Sequence, residues 1–365
     1  MTIKPMRITF ILPHAGLAGG VKVVAIYAER LKKRGHTVTV VSIPLPPLSI
    51  KQKIKWFLKR RKWPIELELR PSHFDNVSVD HHVLKEYRPI TNDDVPDADV
   101  VIATWWETAE WVKKFSETKG RKYYFIQHHE IFDNQPTDRV RNTYFLPFVK
   151  ITISKWLMDL MNSVYGDKNV KLVKNSVDTI QFNCEVRCKN TNPVVGMMYS
   201  PVTWKGCDVS FRAFSIVEKF IPSLKMLSFG TSPPSSSTAV PKNFEFILLP
   251  PKNELKNIYS RCDVWICGSV YEGFHLPPLE AMACRCPVVS TAVGGPVDII
   301  QNGINGYIVP VNDHEELAKA VIKILSLPNE DWMKMSDQAY LTAHSYTWDD
   351  ATDLFEKSLQ GIAYE

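Results

Sequence analysis

Continuous apolar runs, separated by helix-like stretches, recur along this chain, and few folds accept that pattern. Ile8 to Leu12, broken only by Thr9, is the first such run, and Val38 to Ser42 is the next strand. A strand exposed on one face alternates apolar and polar residues, whereas a strand covered on both faces of a parallel sheet reads as one apolar block. Between the two runs lies "HAGLAGG", residues 14 to 20, which bends and bares backbone N–H groups. The helix that follows puts Val21, Val24, Ala28 and Leu31 on one face and stops at Gly35. This is a βαβ unit, and its default winding is right-handed.

The unit repeats. Residues 97–104, 121–127, 149–155 and 170–178 read as strands of a first series, with a Trp-rich helical stretch from Trp105. A second series opens at 193–200 and continues with Lys225 to Gly230, Glu245 to Leu249, Val264 to Cys267, Val288 to Ser290 and Gly306 to Val309. Helices fall near 206–220, 253–261, 278–284 and 314–326, and 231–241 is a loop. The expected fold class is α/β, with two Rossmann-like doubly wound domains facing a central cleft. The first spans 1–178 and the second 179–344, with a C-terminal helix at about 345–365 packing back on the first. A length of 365 residues suits two domains.

Charge and cysteine usage narrow the setting. The net charge is +5, yet "KQKIKWFLKRRK" (51–62) alone carries seven Lys or Arg and no acid. The basic character is therefore a local patch and not a nucleic-acid surface. Read as a helix, 49–63 groups Ile50, Ile54, Phe57 and Leu58 on one face, which suits either an anionic membrane surface or packing on the first domain. Seven cysteines without a disulfide-like framework fit a reducing cytosol, and Cys184 with Cys188 lacks the partners of a zinc site. No apolar stretch reaches membrane-spanning length, and Met1 to Pro5 leads straight into a strand with no signal peptide. The expected location is cytoplasmic, with peripheral contact on the inner membrane face.

The stretch "YEGFHLPPLEAMACRCPVVSTAVGGPVDII", residues 271 to 300, carries the chemistry. It follows an apolar strand, so Glu272 lies just past a strand's carboxyl end, the usual ligand position of such sheets. Pro277 and Pro278 stiffen the turn and start a helix expected over Leu279 to Cys284. Its amino end suits a phosphate, and Glu280 in the first turn suits a diol. Carboxylates on both sides of an anion socket match the parts of a nucleotide sugar.

"EGFHLPPLE" resembles the E-x7-E signature of retaining, GT-B-fold glycosyltransferases of family four, also called glycosyl transferases group 1. "AGG" with "ERLKKRGHTV", "KNSVD" (174–178), "WKG" (204–206) and "GGPVDIIQNGINGYIVPVND" (294–313) resemble further segments of that family in order. A segment "YFIQHHE" (124–130) and the "MMYSPVTWKG" loop are similar to a bacterial polysaccharide rhamnosyltransferase subgroup. The resemblance implies a hexosyl-type retaining transferase that moves a sugar from a nucleotide-sugar donor to a glycan or lipid-linked acceptor, with no cofactor and no metal. It implies that Glu272, Lys205 and one of His128 and His129 act in catalysis. Glu280 would bind ribose; Gly273, Phe274, His275 and Leu276 would hold sugar and phosphate through backbone N–H groups. Pro250 and Pro251 would lie near the base, and Gly19 and Gly20 would form the amino-terminal glycine loop. Gln127 and Glu130 are weaker candidates beside the histidines.

The sequence departs from the family at three places. Met197 follows Gly196 where the family has an arginine for the diphosphate, leaving Lys205 alone or helped by Arg261 or Arg285. Asp298 replaces the usual glutamate after the double glycine, and two histidines stand where one is usual. The missing arginine keeps open a second reading, a catalytically inactive relative that serves as a sugar- or nucleotide-binding scaffold. A dinucleotide oxidoreductase is excluded, because "GLAGG" lacks G-x-G-x-x-G spacing and no acid closes the second strand near Ser42.

Overall fold

The computed structural model describes residues 4–47, 50–60, 71–236 and 238–361. They form two compact units. The first draws its described residues from Met1–Thr152, Leu157–Leu172 and Thr352–Glu365, the second from Ile153–Trp156 and Val173–Ala351. The change of unit thus falls at 172/173 rather than 178/179, and the chain returns at 352 rather than 345.

In the first unit seven strands pair in parallel: β1 (Arg7–Leu12), β2 (Thr37–Ser42), β3 (Asp80–Val83), β4 (Val100–Ala103), β5 (Arg121–Ile126), β6 (Val149–Thr152) and β7 (Lys171–Leu172). Their order is β3-β2-β1-β4-β5-β6-β7, so the winding reverses between β1 and β4. Helices α1 (Gly19–Lys33), α2 (Ile50–Arg60), α3 (Trp106–Lys113), α4 (Thr137–Tyr144) and α5 (Lys155–Ser163) connect them. Strand β3 escapes a hydrophobicity reading because Asp80, His81 and His82 make it polar; it sits at the sheet edge and needs no two-sided apolar cover. The expected strand at 170–178 shrinks to the two residues of β7.

The second unit repeats the scheme with six parallel strands: β8 (Val194–Met198), β9 (Lys225–Gly230), β10 (Phe244–Leu248), β11 (Val264–Cys267), β12 (Val288–Thr291) and β13 (Gly306–Val309). The order is β10-β9-β8-β11-β12-β13, and this winding reverses between β8 and β11. Its helices are α6 (Cys207–Phe220), α7 (Leu255–Ser260), α8 (Leu276–Ala283), α9 (Pro296–Ile299), α10 (His314–Leu325) and α11 (Asn329–His344). In sheets of this kind ligands bind beyond the strands' carboxyl ends at the reversal. That rule marks one place in each unit.

A last helix, α12 (Trp348–Gln360), returns to the first unit. Phe355 stacks on Tyr27 at 4.3 Å between ring centroids and meets Phe125 edge-on at 5.2 Å. Glu356, buried, lies 2.5 Å from His36 Nε2 and accepts from Arg34 at 3.0 Å. Met6 N–H donates to His36 Nδ1 at 3.0 Å, which leaves Nε2 to carry the proton toward Glu356.

Of the basic segment 49–63, residues 50–60 form α2, while 49 and 61–63 lie outside the described residues. No helix among the described residues is long and apolar enough to cross a membrane.

Candidate functional site

The reversal in the second sheet gathers the residues singled out by the motif. Past β8 the chain runs to Lys205, and past β11 it runs to Glu272. Two glycines let these segments touch. Gly206 has φ +56, and a Cβ there would lie 1.8 Å from Gly268 O; a Cβ on Gly268 would lie 2.6 Å from Gly206 O. Only glycine at both positions permits that approach. Val270 N–H donates to Trp204 O at 2.8 Å and locks the crossing.

Lys205 is thereby brought to Glu272. Its Nζ donates to Glu272 Oε1 at 2.9 Å and to Oε2 at 2.8 Å. Ser269 Oγ donates to Oε1 at 2.8 Å, and His275 Nδ1 lies 2.5 Å from the same oxygen, off the line of a well-directed bond. Glu272 is only 6% exposed. Burial pushes its carboxyl up, but the nearby His275 imidazole and then Lys205 outweigh burial and hold it well below the usual carboxylate range. It stands as a buried anion with its lone pairs already engaged.

The turn after Glu272 is braced from three sides. Gly273 O accepts from Ser154 Oγ at 3.0 Å and from Trp156 Nε1 at 2.9 Å. Gly295 N–H donates to Phe274 O at 2.7 Å, and a Cβ on Gly295 would lie 2.7 Å from the Phe274 ring. Asp298 accepts from Lys155 N–H at 2.9 Å, so the shorter acid of the second-unit ending holds the 153–156 segment. Ser154 and Trp156 escape a motif reading because they come from a distant part of the chain.

Helix α8 begins at Leu276, not Leu279, behind His275 in a left-handed conformation with φ 73. The prolines therefore occupy the first turn and carry no N–H. The expected phosphate socket loses two donors, leaving those of His275 and Leu276 at the helix start. Glu280 is buried on α8 and accepts from Tyr259 Oη at 2.8 Å. Burial, then Glu280, raises the Tyr259 hydroxyl well above its ordinary range, so it remains a donor. Pro250 is half-buried and Pro251 exposed in the segment after β10.

The two arginines considered as replacements for the missing one serve elsewhere. Arg261 bonds Glu245 at 2.9 Å. Arg285 bonds Asp337 and Cys184 O and lies 4.2 Å over the Tyr340 ring. At Gly196 a Cβ would lie 2.4 Å from Cys262 Sγ and from the Trp265 ring, and Met197 is buried in the core.

The first unit's reversal opens a cavity of about 660 Å3. Leu12, Gly20, Thr104, Trp105, His128 and Phe132 are among its walls. Gln127 Nε2 donates to Gly20 O at 3.0 Å, tying the glycine loop to the end of β5; Gly19 opens α1 beside it. The two histidines part ways. His128 lines the cavity, and its Nδ1 lies 3.0 Å from His129 O, so that nitrogen bears the proton. His129 Nε2 meets Tyr165 Oη at 2.8 Å among the rings of Tyr144 and Tyr165. Burial first, then His128 and Arg141, pushes His129 down to about 4. Glu130 is buried and accepts from Trp106 N–H at 2.7 Å and Tyr124 Oη at 3.1 Å; burial raises its carboxyl well above the usual range. Trp106 and Trp111 are core, while Trp105 is half-buried. No group of three or more His, Cys, Asp or Glu among the described residues is arranged to hold a metal.

Residues 184–342 match the family model of Glycosyl transferases group 1. The match lies within the second unit and includes Lys205, Glu272 and Glu280. Among curated relatives, a probable sucrose-phosphate synthase of Thermosipho melanesiensis is 36% identical over 110 residues, 29% of this chain and 25% of that protein. A D-inositol 3-phosphate glycosyltransferase of Saccharomonospora viridis is 36% identical over 107 residues, again 29% of this chain and 25% of that protein. The matched stretches thus span about a quarter of those relatives. Among solved structures, a sucrose-phosphate synthase from Thermosynechococcus elongatus aligns with TM-score 0.73 at 16% identity, covering 97% of this chain and 98% of that one. Anabaena HepE in complex with UDP-glucose aligns with TM-score 0.74 at 15% identity, covering 98% and 100%. At these identities the likeness is one of fold: two Rossmann-like parallel-sheet units, as in GT-B glycosyltransferases.

Proposed function

We propose that this chain is a glycosyltransferase that uses a nucleotide-sugar donor, retains anomeric configuration and needs no metal. The second unit binds the donor, and the first unit's cavity binds a glycan or lipid-linked acceptor. The observation that carries the reading is the Lys205–Glu272 pair at the sheet reversal, followed in the chain by the helix that carries Glu280.

The pair works by exchange. Without donor, Lys205 neutralises a buried anion. When a diphosphate arrives, the Lys205 ammonium turns to it, and sugar hydroxyls take its place as donors to Glu272. Charge that builds on the departing diphosphate then meets a lysine already in position, which lowers the barrier through preorganisation. Glu280, held by Tyr259, accepts from the ribose diol. His128 serves as the catalytic group toward the acceptor in the cavity. HepE with bound UDP-glucose supports a nucleotide-sugar donor through its fold likeness.

The test is release of nucleoside diphosphate from a panel of nucleotide sugars, with and without short glycan acceptors. Lys205→Ala should lower kcat more than it raises KM for the donor that works. If no donor is turned over, yet a nucleoside diphosphate binds to wild type and not to Glu280→Gln, the scaffold reading replaces the enzyme.

A further inference from the structure

Helix α2 faces the wrong way for a helix packed on a soluble protein. At 100° per residue, Ile50, Ile54, Phe57 and Leu58 fall in one arc of about 100°, with Lys51 and Lys53 at its two borders. Such a stripe normally lies against the core. Here Ile50 is 75% and Leu58 71% exposed, and Ile54 and Phe57 are exposed as well. Trp56, on the far side of the helix, is the more covered residue. The apolar arc looks outward.

We propose that α2 is the face by which this protein lies on a membrane containing anionic lipid, with Ile50, Ile54, Phe57 and Leu58 entering the headgroup region. Two observations choose this occupant. The first is charge: 51–62 holds seven Lys or Arg and no acid. Such a run is attracted to an anionic surface, and lysines bordering an apolar arc extend to headgroup phosphates while their stems lie along the acyl boundary. The second excludes a second copy of the chain. A two-fold contact sets the same patch against itself, which would crowd cation against cation. Nucleic acid would meet the cations but leave the apolar arc without a partner. The proposal does not rest on the transfer reaction and stands even if no donor is turned over.

The experiment is sedimentation of the full chain with vesicles of phosphatidylcholine alone or mixed with phosphatidylglycerol, at low and high salt. Wild type should pellet with the mixed vesicles and release as salt rises. Ile54→Ser with Leu58→Ser should weaken binding at least about tenfold, since both side chains are exposed and contribute only on insertion. A second variant, with Lys59, Arg60, Arg61 and Lys62 changed to Gln, should weaken it at least about a hundredfold. Circular dichroism checks that both variants fold, and either one suffices if the other does not. Failure of wild type to bind mixed vesicles, equal binding to neutral ones, or binding untouched by both variants overturns the proposal. So does self-association of the wild type in sedimentation velocity that Ile54→Ser with Leu58→Ser abolishes, which would assign the arc to a second copy.

Discussion

Glu272→Gln isolates the charge at the centre of the second unit's site. The substitution keeps shape and removes the anion that Lys205, Ser269 and His275 address. Removing one partner of a buried pair costs about 3–5 kcal/mol, because the other charge is left uncompensated. Here the Lys205 side chain is 27% exposed, so water recovers part of that loss. The expected destabilisation is about 2–3 kcal/mol at neutral pH. Its pH dependence has a definite sign. The folded carboxyl titrates below the unfolded value of roughly 4.3, so the unfolded chain binds the proton first. The contribution is complete above that value and declines as pH falls below it toward the folded value. The gap between wild type and Glu272→Gln should therefore narrow in acid. Urea unfolding of both proteins at about pH 7 and in steps down to about pH 3 reads the gap directly. Equal stability at neutral pH, or a gap that acid leaves unchanged, refutes this account of the pair.

Tyr259→Phe removes the hydroxyl that orients Glu280 and should weaken nucleoside diphosphate binding at least about threefold to tenfold by calorimetry. His128→Ala should abolish transfer with donor affinity intact, whereas His129→Ala should lower thermal stability through the lost Tyr165 contact; the reverse pattern would exchange their roles. Gly206→Ala forces a methyl onto Gly268 O in a left-handed backbone and should cost at least about 3 kcal/mol, while Gly19→Ala, with open space around its Cβ, should cost little in the same melts.

The strands with two-sided cover were readable because burial on both faces leaves an almost wholly apolar run, as in Ile8 to Leu12, where Thr9 is the one polar residue, and Val264 to Cys267. Strand β3 was not, since an edge strand tolerates Asp80 and His82 facing water. The glutamates and Lys205 were visible because local glycine and proline chemistry frames them. That Lys205 closes directly on Glu272 was not visible, since the contact depends on Gly206 and Gly268 meeting across 62 residues of chain, 268 − 206. Ser154, Trp156 and Tyr259 were missed for the same reason: each reaches the site from another strand or helix, and no spacing rule records that. Periodicity gave the apolar arc of α2 but not its direction, which is a property of what the rest of the unit leaves uncovered.

The return of α12 ties the core of the first unit to a segment far along the chain. His36 and Glu356 are 320 residues apart, and Phe355 closes over Tyr27 and Phe125. On the ribosome the second unit is finished before the first can be. The nascent first sheet must wait, with Tyr27 and Phe125 uncovered, until α12 emerges, so it is the older half of the chain that needs protection from aggregation during synthesis. A stop codon ahead of residue 352 would likewise injure the half of the protein made first.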